Sequence, residues 1–298
     1  MPLGPPVEIS SVIRRMRGGS QSFLVQASDG AHYVAKFTDN PQGNRSLINE
    51  CIAGNLLSAL GVATPDLAIL RLGDSCRGRD LLYFSIDRQE PIAPGLHFGS
   101  KCPVDPDEAA IFDFLPRPLY SRVANLDDVG VVFAFDRWVV NTDTRQYIFA
   151  RKSTRRKAAE SKQRNGSFLT AWPIDNGMCF GKDWTLAPNA PLDCHPSFDI
   201  CSFCDLEQSA ALGARLIQSL PDSAFRASWR QIPGDWFAPG DEAALHTMLC
   251  ELQHRQQGLA TSIQDRVKAG KRHGRANFQV TESADLRALP AETNVACR

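Results

Sequence analysis

The chain has 298 residues, 33 Lys plus Arg balanced by 33 Asp plus Glu, and 43% apolar residues. That length admits one large domain or two lobes around a substantial core, and the composition is that of an ordinary soluble globular protein. Zero formal net charge excludes a global field drawing the protein to nucleic acid or acidic membranes, and no segment approaches the ~20 apolar residues that span a bilayer.

Met1 to Pro6 has neither the basic start nor the apolar core of a signal peptide. The nine cysteines are odd in number and lie mostly in apolar runs, as at Cys51, Cys179 and Cys250. This fits reduced thiols in a cytoplasm, not a disulfide framework.

Patterning predicts strands over 8–17, 23–27 and 32–37, with Asp29-Gly30 as a two-residue hairpin signal between the last two. Gly18-Gly19-Ser20 at the first corner brings backbone N–H groups close to whatever lies above it. Phosphate is the usual guest of such a nest, although a plain tight hairpin uses the same residues. Lys36 interrupts an apolar strand, so it is either paired or turned outward. After the loop Asn40-Pro41-Gln42-Gly43, a helix is predicted over 45–60, with Leu47, Ile48, Cys51, Ile52 and Leu56 at helical spacing and Gly61 as its stop. Asn49 and Glu50 lie beside that stripe, where an acid can turn inward to meet Lys36.

Further strands are predicted at 67–72 and 80–86. Gly95–Lys101 then leads into the polar, proline-containing connection Cys102–Pro106, where strands give way to helices. Helices are predicted at 107–114 and 126–140, the second capped by Asn125, with Asp127 and Asp128 in the first turn, where the macrodipole favours anions. That helix delivers Asn141-Thr142-Asp143.

Two acids stand out. Asp143 lies between the aromatic-rich run ending at Val140 and the apolar run Tyr147–Ala150; Asp175 ends Trp172-Pro173-Ile174 and precedes Asn176-Gly177. Carboxylates on loops held by buried elements and joined by a hairpin-like segment suit divalent-metal and phosphoryl chemistry. Two ordinary Asp turns have the same appearance. Between them, residues 151–164 carry seven basic residues against one acid, Glu160, which reads as a solvated hairpin tip before a nucleic-acid contact. Cys194, His195, Cys201 and Cys204 match no zinc-ribbon spacing and read as packing residues. Helices are predicted near 205–219, 222–230 and 241–267, and the polar tail 268–298 is expected to be loose.

In order and spacing, several stretches resemble the HipA-like kinase domain family. They are Arg17–Gln21, Tyr33–Phe37 with Asn40-Pro41-Gln42, Asn49-Glu50, His97–Ser100, Phe135–Trp138 through Asn141–Asp143, and Ile174–Gly177 with Cys179-Phe180. The resemblance implies an α+β, two-lobed protein-kinase-like fold. Residues 1–105 would be an N-terminal antiparallel sheet lobe with one helix, and 106–267 a mainly helical C-terminal lobe. It implies Mg-ATP between the lobes and phosphoryl transfer to a hydroxyl acceptor by a Ser/Thr-type kinase. A protein partner is compatible with it; membrane and nucleic-acid partners are not expected.

The resemblance also assigns residues. Gly18, Gly19 and Ser20 would cover the phosphates, and Lys36, braced by Glu50, would hold them. The linker around Phe98–Lys101, with Phe98 and Ser100, would face adenine. Asp143 would orient or deprotonate the acceptor, and Asp175 would bind magnesium. One position departs: kinases place a metal-binding Asn five residues after the catalytic Asp, and here that residue is Ile148, which cannot ligate magnesium. Asn141 and Gln146 are the polar residues that would compensate. The departure supports an alternative, a nucleotide-binding pseudokinase acting as a partner-binding module.

Overall fold

The computed structural model describes residues 4–84, 91–151, 169–186 and 206–259. Five strands close into a barrel in the order β1-β2-β3-β5-β4: β1 Val7–Arg15, β2 Phe23–Ala27, β3 His32–Lys36, β4 Leu67–Leu72 and β5 Gly95–Lys101. Neighbours are antiparallel except β1 and β4, whose short parallel pairing closes the ring. Alternation sends Phe23, Val25, Tyr33, Ala35, Leu70 and Leu72 into the barrel core. The opposite parity, which includes Lys36 and Phe98, faces away from it.

Helix α1 (Asn44–Ala59) is almost wholly buried. It ends where the residue pattern predicts: Gly61 takes φ 79°, its N–H donates to the Ser58 carbonyl at 3.0 Å, and the Val62 N–H donates to Leu57 at 3.2 Å. This is a Schellman stop.

The remaining chain builds a three-stranded antiparallel sheet, β6 (Ile111–Phe112), β7 (Gln146–Ala150) and β8 (Thr170–Ile174), with helices α2 (Asp127–Trp138), α3 (Leu206–Gln218), α4 (Asp222–Trp229) and α5 (Asp241–Gln256). Trp138 anchors its core. The indole N–H donates to the Leu252 carbonyl at 2.9 Å, and Phe135 and Phe225 pack edge-on at 5.9 and 5.8 Å. Trp236 donates to the Leu96 carbonyl of β5 at 2.8 Å, tying this core to the barrel. Helices α2 and α3 approach backbone to backbone at two glycines. A Cβ on Gly130 would lie 2.1 Å from Ser209 Cβ, and one on Gly213 would lie 2.8 Å from Val131 Cα.

Five local expectations are corrected. Residues 80–84 are not a strand. A 3-10 turn at Arg79–Leu81 and an isolated Tyr83–Pro91 bridge stand there, because Leu82 turns in to plug the barrel core. Residues 107–114 are not a helix: after a turn on the Asp105 carbonyl, Ile111 and Phe112 pair with Ala150 and Phe149 of β7. Asn125 does not cap α2. Its amide holds β8 through Ala171, donating to the carbonyl at 2.8 Å and accepting the N–H at 2.9 Å. Phe98–Lys101 is part of β5 within the barrel, not a linker. The last predicted helix, 241–267, is also interrupted: α5 stops at Gln256 and a turn follows at 257–258. The basic run beyond Arg151, Cys194, His195, Cys201, Cys204, residues 260–267 and the tail 268–298 lie outside the described residues. No described helix is long and apolar enough to cross a membrane.

Candidate active site

A cavity of about 890 Å³ lies between the barrel and the β6-β7-β8 sheet. Lys36 enters it from the last position of β3. Its Nζ lies 2.5 Å from Glu50 Oε1 and 2.7 Å from Asp175 Oδ1, and the residue is 7% exposed. Burial pulls the ammonium pKa down, but Glu50 and Asp175 outweigh it, so the value is raised. Burial pushes the Asp175 carboxyl up, and Lys36 overrides it to leave the value lowered. Both groups are therefore charged at neutral pH.

Asp175 follows β8 in the left-handed region, φ 61°, where a non-glycine residue must be held. Asn49 of α1 holds the turn beyond it, donating to the Gly177 and Cys179 carbonyls at 2.9 Å each. Asn176 Nδ2 donates to Glu50 Oε2 at 3.3 Å. Asp175 Oδ2 accepts from Gln146 Nε2 at 2.9 Å.

Asp143 is exposed on the loop between α2 and β7 and lines the same cavity as Asp175. Its Oδ1 accepts the Thr144 N–H at 2.7 Å. Gly18, Gly19 and Ser20 border the cavity from the β1–β2 turn, and Phe98 and Ser100 border it from β5. Ten of the residues singled out in the sequence, Gln146 among them, thus border one space; Asn141 does not. Its apolar lining includes Leu24, Val34 and Ile148.

Of the two polar residues expected to offset Ile148, only Gln146 reaches Asp175. Asn141 is buried beneath, donating to Asp136 Oδ1 at 3.1 Å and accepting the Asp143 N–H at 3.2 Å. Gln146 and Ile148 share a face of β7 because strand side chains alternate. Asp175 and the Gln146 amide oxygen are hard donors suited to a small divalent cation. His32, Asp105 and Asp107 also cluster, but the two acids sit against different ring nitrogens, at 3.3 and 3.7 Å. They flank the imidazole from both sides, and one ligand atom from each residue lies within 4.8 Å of the others.

Three residues at this site carried no assignment from sequence. Gln42 crosses Gly19 so closely that a Cβ there would lie 3.0 Å from its Nε2; the Asn40-Pro41-Gln42 motif was its signal. The other two, Asp136 and Arg145, form a buried ion pair. No sequence pattern pairs residues nine apart across a loop.

The model of the HipA-like kinase family matches residues 9–266. No curated protein matches the sequence. Among solved structures, a Helicobacter pylori proinflammatory kinase, CtkA, aligns with TM-score 0.52 at 13% identity over 87% of this chain and 99% of that one. The Golgi casein kinase with Mn/ADP bound aligns at 0.41 and 13% identity, covering 87% and 73%. At these identities the likeness to CtkA shows the fold alone.

Proposed function

Because the chain belongs to the HipA-like kinase family, we propose that it transfers the γ-phosphoryl group of ATP to a hydroxyl acceptor, with the nucleotide in the 890 Å³ cavity. The observation carrying this reading is that one barrel lysine, Lys36, bonds two acids, Glu50 from α1 and Asp175 after β8, beside Asp143. Residues 1–105 and 106–267 act as the two lobes of a kinase. Leu24, Val34, Phe98 and Ile148 offer apolar surface for adenine, and Ser100 lies beside them.

Gly18, Gly19 and Ser20 present backbone donors over the phosphates. Lys36 offsets phosphate charge, and Glu50 keeps the ammonium aimed. Asp175 would hold a divalent cation, and Gln146, with its amide turned over from the N–H contact it makes to Asp175, would offer its side-chain oxygen in the place vacated at Ile148. Magnesium, when bound, neutralises charge on the phosphate oxygens. Asp143 accepts the acceptor's hydroxyl proton as that oxygen bonds to the γ-phosphorus and the bond to the bridging oxygen breaks, leaving ADP. Catalysis is mostly positioning and charge neutralisation. The free thiols among the described residues support action in a reducing cytoplasm.

Ile148 favours a second reading, a nucleotide-binding pseudokinase that acts through a partner. Transfer of label from ATP to protein or small-molecule hydroxyls separates the two. The expected result is transfer by the wild type and at least a ~100-fold loss in Asp143→Ala. Nucleotide binding without any transfer would establish the second reading, and Asp143→Ala at wild-type rate would remove Asp143 from the chemistry.

A further inference from the structure

Beneath the cavity, Asp136 and Arg145 are 3% and 2% exposed. Arg145 reaches both carboxylate oxygens, Nε to Oδ2 at 3.0 Å and Nη2 to Oδ1. Asp136 Oδ1 also accepts from Asn141 at 3.1 Å. Asn141 and Arg145 stand two residues before and two after Asp143. The loop carrying Asp143 is therefore tied at both ends to one carboxylate.

Arg145 also grips the second loop. Its Nη1 donates to the Ile174 carbonyl at 2.9 Å and to Asn176 Oδ1 at 2.7 Å. Those residues are the two neighbours of Asp175, the residue at φ 61°. From Asn176 the chain of bonds continues to Glu50. A guanidinium forked on a carboxylate fixes orientation as well as distance, which a lysine cannot reproduce. Stability alone does not call for it, since well-packed apolar replacements of buried pairs are often neutral or better.

We propose that Asp136 and Arg145 are positioning residues: one buried ion pair holds the Asp143 loop and the Asp175 loop in register. Neither side chain borders the cavity, so the pair acts through the loops and not on the nucleotide. The inference rests on the phosphoryl-transfer reading of the site.

The test uses the full chain with Arg145→Lys and the double variant Asp136→Leu/Arg145→Met. Steady-state transfer, thermal midpoint and amide exchange are read on each. A misplacement of about 1 Å costs on the order of 100-fold. The double variant is therefore expected to melt near the wild type, keep ATP KM within about threefold and lose about 100-fold in kcat. Arg145→Lys should lose about tenfold or more in kcat with KM likewise unchanged. In both, amides of 141–146 and 174–177 should lose protection together while β3 and α1 keep theirs. Retained kcat, or exchange unchanged in both loops, overturns the proposal. So does a global loss of protection in both variants, which would make the pair merely structural. If the wild type transfers nothing, the kinase reading has failed, and the exchange pattern alone still decides whether the pair couples the two loops.

Discussion

At the scale of single residues, charge and burial decide what the cavity can do. Lys36 and Asp175 hold each other ionised across a defined window. The lowered Asp175 value gives stability that is present above the unfolded carboxylate pKa of about 4 and lost as pH falls through the folded value. The raised Lys36 value gives stability present below about 10 and lost as pH rises through the folded value. His97 behaves differently. It is buried inside the barrel, where its Nδ1 accepts the Thr38 N–H at 3.2 Å, and burial pulls its pKa from 6.5 to about 4. The unfolded chain therefore binds a proton that the folded chain refuses, and stability falls as pH drops from 6.5 toward 4. Denaturant unfolding at pH 7 and pH 5 should show a loss of about 2 kcal/mol from this residue. The loss should be missing from His97→Leu; an equal loss in that variant would place the acid sensitivity elsewhere.

At the scale of elements, two contacts set where the Asp143 loop emerges. Helix α2 ends at Trp138, and Val140 takes φ 52° so that the Asn141 N–H returns to the Asp136 carbonyl at 2.9 Å. This has the form of a Schellman stop with a buried valine where glycine is usual, and it aims the chain from α2 toward Asp143. The same helix lies against α3 without room for a side chain at Gly130. Gly130→Ala should raise intrinsic helix propensity, yet overpacking should destabilise the protein by about 1–3 kcal/mol. A urea midpoint that falls with an unchanged slope checks this; an unchanged or higher midpoint would show that α2 and α3 separate at little cost.

At the scale of the whole molecule, the proposed nucleotide touches both the barrel and the β6-β7-β8 sheet, so binding should stabilise the fold as a unit. Saturating Mg-ADP at about 100 Kd adds about 2.7 kcal/mol, a rise of roughly 4 °C in Tm for a chain of this size. A thermal melt measures it directly. The rise should vanish in Lys36→Met, and in Asp175→Asn it should lose its dependence on magnesium. A rise in Lys36→Met equal to that of the wild type would place the nucleotide outside this cavity.

The sequence by itself determined the elements whose evidence is local. Period-two alternation and Asp29-Gly30 specify β2 and β3 and so aim Lys36; helical spacing and Gly61 specify α1 and bring Glu50 to the same side. The order of short motifs specified the family. Only the tertiary structure decided the rest. Ile111-Phe112 is a strand because β7 offers an edge. Leu82 leaves its run because it packs into the barrel core. Gln146, and not Asn141, meets Asp175 because Asn141 is already spent on Asp136, and the Asp136–Arg145 pair exists only once α2 has stopped and the chain has turned back. Backbone propensity and hydrophobic period act between residues a few positions apart. A two-residue strand or a buried ion pair is fixed by its partner, and that partner is known only when distant segments have packed.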